Sequence, residues 1–386
     1  MTSPTRIGIH DLAVATAGHV LDLDDLAAAT GVDPGKFHIG LGQDQMSVPG
    51  PDEDIVTMGA TAAQQIIARH GVDRIRTVFF ATESGVDQSK SAGVWLHELL
   101  GLPSTSRVVE LKQACYSATA ALQAAAGLVA RETDTQVLVV ASDIARYDLD
   151  SAAEPTQGAG AVALLVSADP ALAELEPVAG LHTAHVDDFW RPNDSVTAVV
   201  DGKLSIDAYL DGFVAAWDDY RTRGGVDIDE IDLFTHHQPF TRMAAKAHRR
   251  LAEHTGAELP AERYERSTVY NRRIGNSYTA SLYLGLAALL DGDDDLTGRR
   301  IGLFSYGSGS VSEFFTVVVQ PGYRDHTRAS ETAAALAART PMDVAAYRAL
   351  HAGAHLGSRV DVEIPAQSPW PFHFAGVSGR ARQYSA

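Results

Sequence analysis

The chain has 386 residues, of which 45% are hydrophobic and 21% charged, with a formal net charge of −18. A chain of this length buries one large core or two smaller ones. The acidity argues against nucleic acid, anionic membranes and acidic proteins as partners, since all three are bound by basic surface, while a small anionic ligand needs only a few local cations.

Helical and strand patterns alternate along the chain, which predicts α/β layers. In order, the pattern predicts a helix over 56–70, a strand over 77–81 and helices over 91–100 and 116–131. Strands follow over 137–140 and 161–166, then a helix over 206–220, a strand over 231–234 and helices over 240–252 and 278–290. The last strands fall over 301–304 and 315–319. The longest apolar stretch, 280–290, is too short to span a bilayer. The first residues show no basic region followed by an apolar core, so a cytoplasmic protein is expected.

The order repeats. Gly71-Val72-Asp73 and Gly225-Val226-Asp227 each end a helix and lead into a strand. Ala114-Cys115-Tyr116 and Gly275-Asn276-Ser277 each open a helix, and Gly158-Ala159-Gly160 and Gly307-Ser308-Gly309 each adjoin an apolar strand. Three matches in the same order indicate an internal duplication. It would place Glu83 and His237 at equivalent strand ends, and Cys115 and Asn276 at equivalent helix starts, so that all four converge.

Cys115 is the only cysteine, which excludes an internal disulfide and a multi-cysteine metal site. At a helix N-terminus the dipole favours a thiolate, the nucleophilic form; the alternative is a small buried hydrophobe. Glu83, after the apolar run 78–81, reads either as a helix cap or as a general acid or base. His236 and His237 would point to opposite faces of a continuing strand, so only one can face a site. No third ligand at zinc spacing accompanies them, and His351 and His355 lack the glutamate of a zinc-protease helix, so no metal is expected. Arg242 and Lys246 share one helix face, as a solvated basic surface or as a phosphate clamp. The glycine-rich 304–310 segment lacks the P-loop lysine; its backbone N–H groups could instead serve a reacting carbonyl oxygen.

Lys112-Gln113-Ala114-Cys115-Tyr116, His237-Gln238-Pro239-Phe240-Thr241, Ala81-Thr82-Glu83-Ser84 and Ser305-Tyr306-Gly307-Ser308-Gly309-Ser310 together resemble the hydroxymethylglutaryl-CoA synthase family. Gly40-Leu41-Gly42-Gln43, Asp188-Phe189-Trp190-Arg191-Pro192-Asn193, Glu154-Pro155-Thr156-Gln157 and Gly275-Asn276-Ser277-Tyr278-Thr279 extend the resemblance in order from about residue 7 to beyond 320. It implies a thiolase-like duplicated αβαβα layered fold of the α/β class, with halves at 1–170 and 171–386 forming one catalytic unit, and a homodimer. It also implies condensation of acetyl-CoA with acetoacetyl-CoA through an acetyl-cysteine, followed by hydrolysis, with no cofactor beyond the coenzyme A thioesters.

By the same resemblance Cys115 is the nucleophile, Glu83 moves the methyl proton and His237 orients the acceptor. Asn276 and Ser308 line the acyl pocket, and Tyr147, Thr156 and Ser205 contact substrate. Asp33, Arg242 and Lys246 lie near coenzyme A, and Asp143 and Asp188 support the site. Cys115→Ser should abolish acetyl transfer, while Glu83→Ala should still acetylate without condensing. Two positions depart from the pattern: Arg242 stands where lysine is usual, and His236 where an aromatic or apolar residue is. The principal alternative is the same chemistry on groups bound to an acyl carrier protein, adding a β-branch during polyketide assembly. A thiolase or ketoacyl synthase would need a further cysteine or a different His/Asn arrangement, and the complete Glu83/Cys115/His237 set disfavours a non-enzymatic scaffold. The product's route, mevalonate-type isoprenoid synthesis or a specialised metabolite, is open.

Overall fold

The structure is a computed structural model that describes residues 5–353 and 360–386; His355 lies outside them. One nine-stranded sheet runs through the molecule. Its strands are β1 (Ile7–Thr16), β2 (Ile75–Ala81), β3 (Arg107–Leu111), β4 (Gln136–Ala145), β5 (Gly158–Ala168), β6 (Ala173–Thr183), β7 (Leu233–His236), β8 (Arg300–Gly307) and β9 (Val311–Val319). The spatial order is β7-β8-β9-β6-β1-β5-β4-β2-β3.

The two halves of this sheet repeat one pattern. Going outward from the centre, β1 pairs antiparallel with β5, β5 antiparallel with β4, and β4 parallel with β2. On the other side, β6 pairs antiparallel with β9, β9 antiparallel with β8, and β8 parallel with β7. The halves meet where Gly8 and Ile9 of β1 lie opposite Glu174 and Ala173 of β6.

Five helices make the layers: α1 (Ile55–His70), α2 (Ser117–Arg131), α3 (Gly202–Thr222), α4 (Arg242–Thr255) and α5 (Ser281–Leu290). Asp54 starts α1 with a capping box through Thr57, which satisfies backbone donors that a helix start leaves unpaired. Strand alternation sends Phe79, Val137, Val139, Val162 and Leu164 to one face, against α2 and α5. It sends Val78, Phe80, Leu138, Val140 and Leu165 to the other, against α1. In the second half Ile301, Leu303 and Phe315 face α2 and α5, while Phe304, Tyr306 and Phe314 face α3 and α4. The result is helix, half-sheet, helix, half-sheet, helix. All ten residues of α5 are buried, as a helix between the two halves of the sheet requires.

The predicted helices and strands are all present, with one shift that matters. The strand expected over 231–234 is β7, two residues later, so His236 ends the strand and His237 follows it. Pattern reading passes over the two central strands. β1 carries His10 and Asp11 at a break in register, and β6 carries Glu174, Glu176 and Pro177 on a strand exposed along part of its length. No helix among the described residues is long and apolar enough to cross a membrane.

Candidate active site

Cys115 sits in the turn between β3 and α2. Ala114 before it has φ +44°, a left-handed conformation that a non-glycine residue adopts only under constraint, commonly at functional sites. The bend puts the Cys115 Sγ 2.9 Å from Glu83 Oε1, to which it donates. Glu83 follows β2, and Asp143 of β4 fixes it from behind. One oxygen of Asp143 accepts from the Glu83 N–H (2.9 Å), the Ser84 N–H (2.9 Å) and the Thr82 hydroxyl (2.7 Å). The other accepts from the Thr279 hydroxyl (2.5 Å) and its N–H (3.1 Å). Asp143 therefore ties the Glu83 turn of the first half to the helix start of the second.

Burial pushes the Glu83 carboxyl up to about 8, and the Asp143 charge adds to it, against the Cys115 hydrogen bond and the nearby Arg191 charge. Burial, then the Glu83 charge, holds the thiol well above its ordinary range. This corrects the thiolate expected at a helix N-terminus. Burial, with the carboxylate beside Cys115 adding to it, outweighs the helix dipole, and the thiol keeps its proton.

His237 lies just past β7, its N–H donating to the Phe304 carbonyl (2.8 Å). Its Nδ1 is 2.6 Å from the Ser281 hydroxyl, and that oxygen accepts from the Gln238 N–H (3.1 Å). A hydroxyl proton directed at Nδ1 is the arrangement that puts the ring proton on Nε2. Burial pushes His237 down to about 3, so the ring is neutral. His236 points the other way, as strand alternation predicts. It stacks on Phe234 and packs among Phe213, His248 and Tyr264, occupying an aromatic position.

One turn of the chain joins these groups. Asn276 Nδ2 reaches the Tyr147 hydroxyl (3.3 Å), and Tyr147 packs with Cys115 and Tyr278 in an apolar cluster. Five residues on, Ser281 holds His237. The Asn276 N–H donates to the Thr156 carbonyl (3.0 Å), placing Thr156 against the same turn.

The β8–β9 turn closes over the cysteine, with Gln113 Nε2 donating to the Ser308 carbonyl (3.2 Å). Gly309 and Ser310 spend their N–H groups on Asp188 Oδ1 (2.9 Å) and the Ala184 carbonyl (2.7 Å). This narrows the expected oxyanion donors in residues 308–310 to the Ser308 N–H. Asp188 also accepts from the Tyr306 hydroxyl (2.8 Å) and the Ser205 hydroxyl (3.3 Å), and so pins the turn and the start of α3 together.

A Cβ on Gly307 would lie 2.5 Å from the Gln113 carbonyl and 2.6 Å from Tyr116 Cβ. Gly307→Ala must therefore displace the Cys115 turn without removing any reacting group. A loss on the order of 10–100-fold in acetylation rate is expected, measured by rapid quench.

Asp33, Arg242 and Lys246 are not among these buried groups. Arg242 and Lys246 lie on the first turns of α4, a few residues past His237, with Arg242 exposed. Asp33 caps its own exposed turn, Oδ1 accepting from the Gly35 N–H (2.9 Å). Gln43 joins this region to α4, accepting from the Thr241 N–H (3.1 Å) and hydroxyl (2.5 Å). Sequence reading missed Arg191, whose guanidinium donates to the Glu83 carbonyl, as well as Ser281 and Thr279. Arg191 and Thr279 stood inside quoted motifs; Ser281 carried no signal apart from its partner.

The duplicated core, with thiol, carboxylate and imidazole brought to the junction of its halves, places the chain among thiolase-like acyl-transferring enzymes. Residues 3–171 match the N-terminal domain of hydroxymethylglutaryl-coenzyme A synthase, and residues 174–255 and 254–348 match its C-terminal domain. The chain belongs to the hydroxymethylglutaryl-CoA synthase family. It is 42% identical over 382 residues to the hydroxymethylglutaryl-CoA synthase of Enterococcus faecalis, covering 98% of this chain and 99% of the relative. It is 35% identical to PksG, the polyketide biosynthesis 3-hydroxy-3-methylglutaryl-ACP synthase of Bacillus subtilis, over 83% of this chain and 82% of the relative. A crystal structure of HMG-CoA synthase complexed with CoA superposes with a TM-score of 0.93 at 37% identity, covering 98% of this chain and 99% of that one.

Proposed function

We propose that the chain condenses acetyl-CoA with acetoacetyl-CoA by the following course. Glu83 takes the Cys115 proton as Sγ attacks the acetyl thioester, and the proton leaves with the coenzyme A thiol. Glu83 then removes a proton from the methyl group of the acetyl-cysteine. The enolate carbon bonds to the keto carbon of acetoacetyl-CoA as the carbonyl pair moves onto the ketone oxygen, to which His237 Nε2–H donates, and that oxygen takes up one proton to balance the one taken by Glu83. The Ser308 N–H faces the acetyl thioester oxygen, where charge collects in the enolate. Water finally cleaves the cysteine thioester, releasing hydroxymethylglutaryl-CoA. The observation that carries this reading is the 2.9 Å contact between Cys115 Sγ and Glu83 Oε1 at the centre of the family's fold.

Asn276 and Ser308 line the acyl pocket and Tyr147, Thr156 and Ser205 contact substrate, with Asp143 and Asp188 holding the turns that present it. Asp33, Arg242 and Lys246 serve the coenzyme A end; Arg242 keeps the charge of the usual lysine in a planar, forked form. Residues 1–170 and 171–386 act as two halves of one catalytic unit. The same reading expects a cytoplasmic homodimer with no cofactor besides its thioester substrates, its product entering isoprenoid synthesis or a specialised pathway.

With Glu83 near 8, kcat/KM for acetyl-CoA is expected to rise between pH 7 and 9, as the carboxyl loses the proton that blocks it as a base. A profile falling over that interval would contradict the role. A second reading, use of carrier-protein acceptors, is supported by the likeness to PksG and by Arg242, Lys246 and Arg249 along one face of α4. Offering the acetylated enzyme acetoacetyl-CoA and acetoacetyl-carrier protein in parallel separates the two. Release of hydroxymethylglutaryl-CoA supports the first reading, and product formed only on the carrier supports the second.

A further inference from the structure

Three histidines meet away from the reacting groups. His10 lies in β1, where pairing with β5 shifts register between Ile9 and Asp11, as at a bulge. His70 is the last residue of α1, and His326 ends the short turn Tyr323–His326. One ring nitrogen from each lies within 4.8 Å of the other two. The ring centroids are 5.0, 5.5 and 6.3 Å apart. Imidazoles bound to one zinc at about 2.0–2.1 Å have centroids roughly 5–6 Å apart, so small side-chain shifts close the set.

Two further observations point to a ligand. The Nδ1 atoms of His10 and His326 are buried without a hydrogen bond of good geometry among the described residues, His10 having only the Asp169 backbone beside its ring, and buried polar atoms rarely lack such a bond. His70 Nε2 is 2.8 Å from Asp11 Oδ2, the carboxylate–imidazole pairing that orients a metal-binding histidine and raises the basicity of its other nitrogen. Asp11 is itself held by Arg328, Arg69 and the Leu12 N–H, so it supports the cluster rather than joining it.

We propose that His10, His70 and His326 bind one divalent transition-metal ion of the zinc type. The ion would clip β1 and α1 of the first half to the Tyr323–His326 turn of the second. Three imidazoles and no carboxylate or thiolate in the set suit Zn2+, Co2+ or Ni2+ and not Mg2+ or Ca2+; water completes the coordination. The ion takes no part in condensation. Asp143 of the active site lies opposite Gly160, and Gly160 lies opposite Thr16 of β1. His10 is six residues back along that strand, roughly 20 Å away.

The test uses the full-length protein stripped by chelator dialysis, titrated with ZnCl2 and desalted, with bound zinc counted by mass spectrometry. One equivalent is expected, with Tm raised by at least about 2 °C. His326→Gln and His70→Gln are each expected to lose both effects while condensation persists; His326, on a surface turn, keeps the test valid if the His70 variant does not fold. Co2+ should develop visible absorption in the wild type and in Cys115→Ser, and not in His326→Gln. No bound zinc in the wild type, undiminished zinc in His326→Gln, or zinc lost in Cys115→Ser would each overturn the site.

Discussion

Cys115→Ser is expected to abolish covalent acetylation and to lower kcat/KM by on the order of 10^4-fold or more, measured as release of coenzyme A and of condensed product. The size follows from the surroundings. The thiol is already the harder form to ionise here, held up by burial and by Glu83. A hydroxyl, far less acidic, in the same pocket gives Glu83 almost no nucleophile to release. The Glu83, Asp143 and His237 arrangement does not depend on the sulfur, so the variant should fold with wild-type Tm. Acetylation of the serine variant at near wild-type rate would remove Cys115 from the mechanism.

Glu83→Ala is expected to separate the two half-reactions. Condensation should fall by about 10^2–10^4-fold, since the methyl proton loses its base. Acetylation should persist within about tenfold, as the sequence reading anticipates, although Glu83 is the thiol's hydrogen-bond acceptor. Losing the carboxylate removes a base, but it also removes the negative charge that helps hold the thiol up, so thiolate becomes easier to form. Burst experiments with acetyl-CoA alone, then with acetoacetyl-CoA, read the two steps separately. Substantial condensation by the variant, at near wild-type rate, would contradict the assignment of Glu83 to enolate formation.

The repeat was legible because glycine-bounded junctions recur with the elements they punctuate. Glu83, Cys115, His237 and Asn276 were legible for the same reason, since each stands at a strand end or helix start. β1 was not, because a central strand that also carries His10 and Asp11 at a break in register breaks the apolar pattern. The protonated state of Cys115 was not legible either. Helix-start reasoning sees the dipole and misses a carboxylate 32 residues away in sequence that the fold brings to 2.9 Å. Ser281 escaped for a related reason. A serine on a wholly buried apolar helix reads as filler until His237 is placed beside it. The histidine set at His10, His70 and His326 has no spacing signature, being assembled from a strand, a helix end and a distant turn.

The central claim is that Cys115 carries the acetyl group through condensation. Intact-protein mass spectrometry with peptide mapping, after mixing with acetyl-CoA and again after adding acetoacetyl-CoA, tests it most directly. The account predicts a single acetyl adduct on Cys115 that disappears on the second addition as hydroxymethylglutaryl-CoA is released. An unmodified Cys115 under turnover, or product formed while the adduct stays in place, would contradict it.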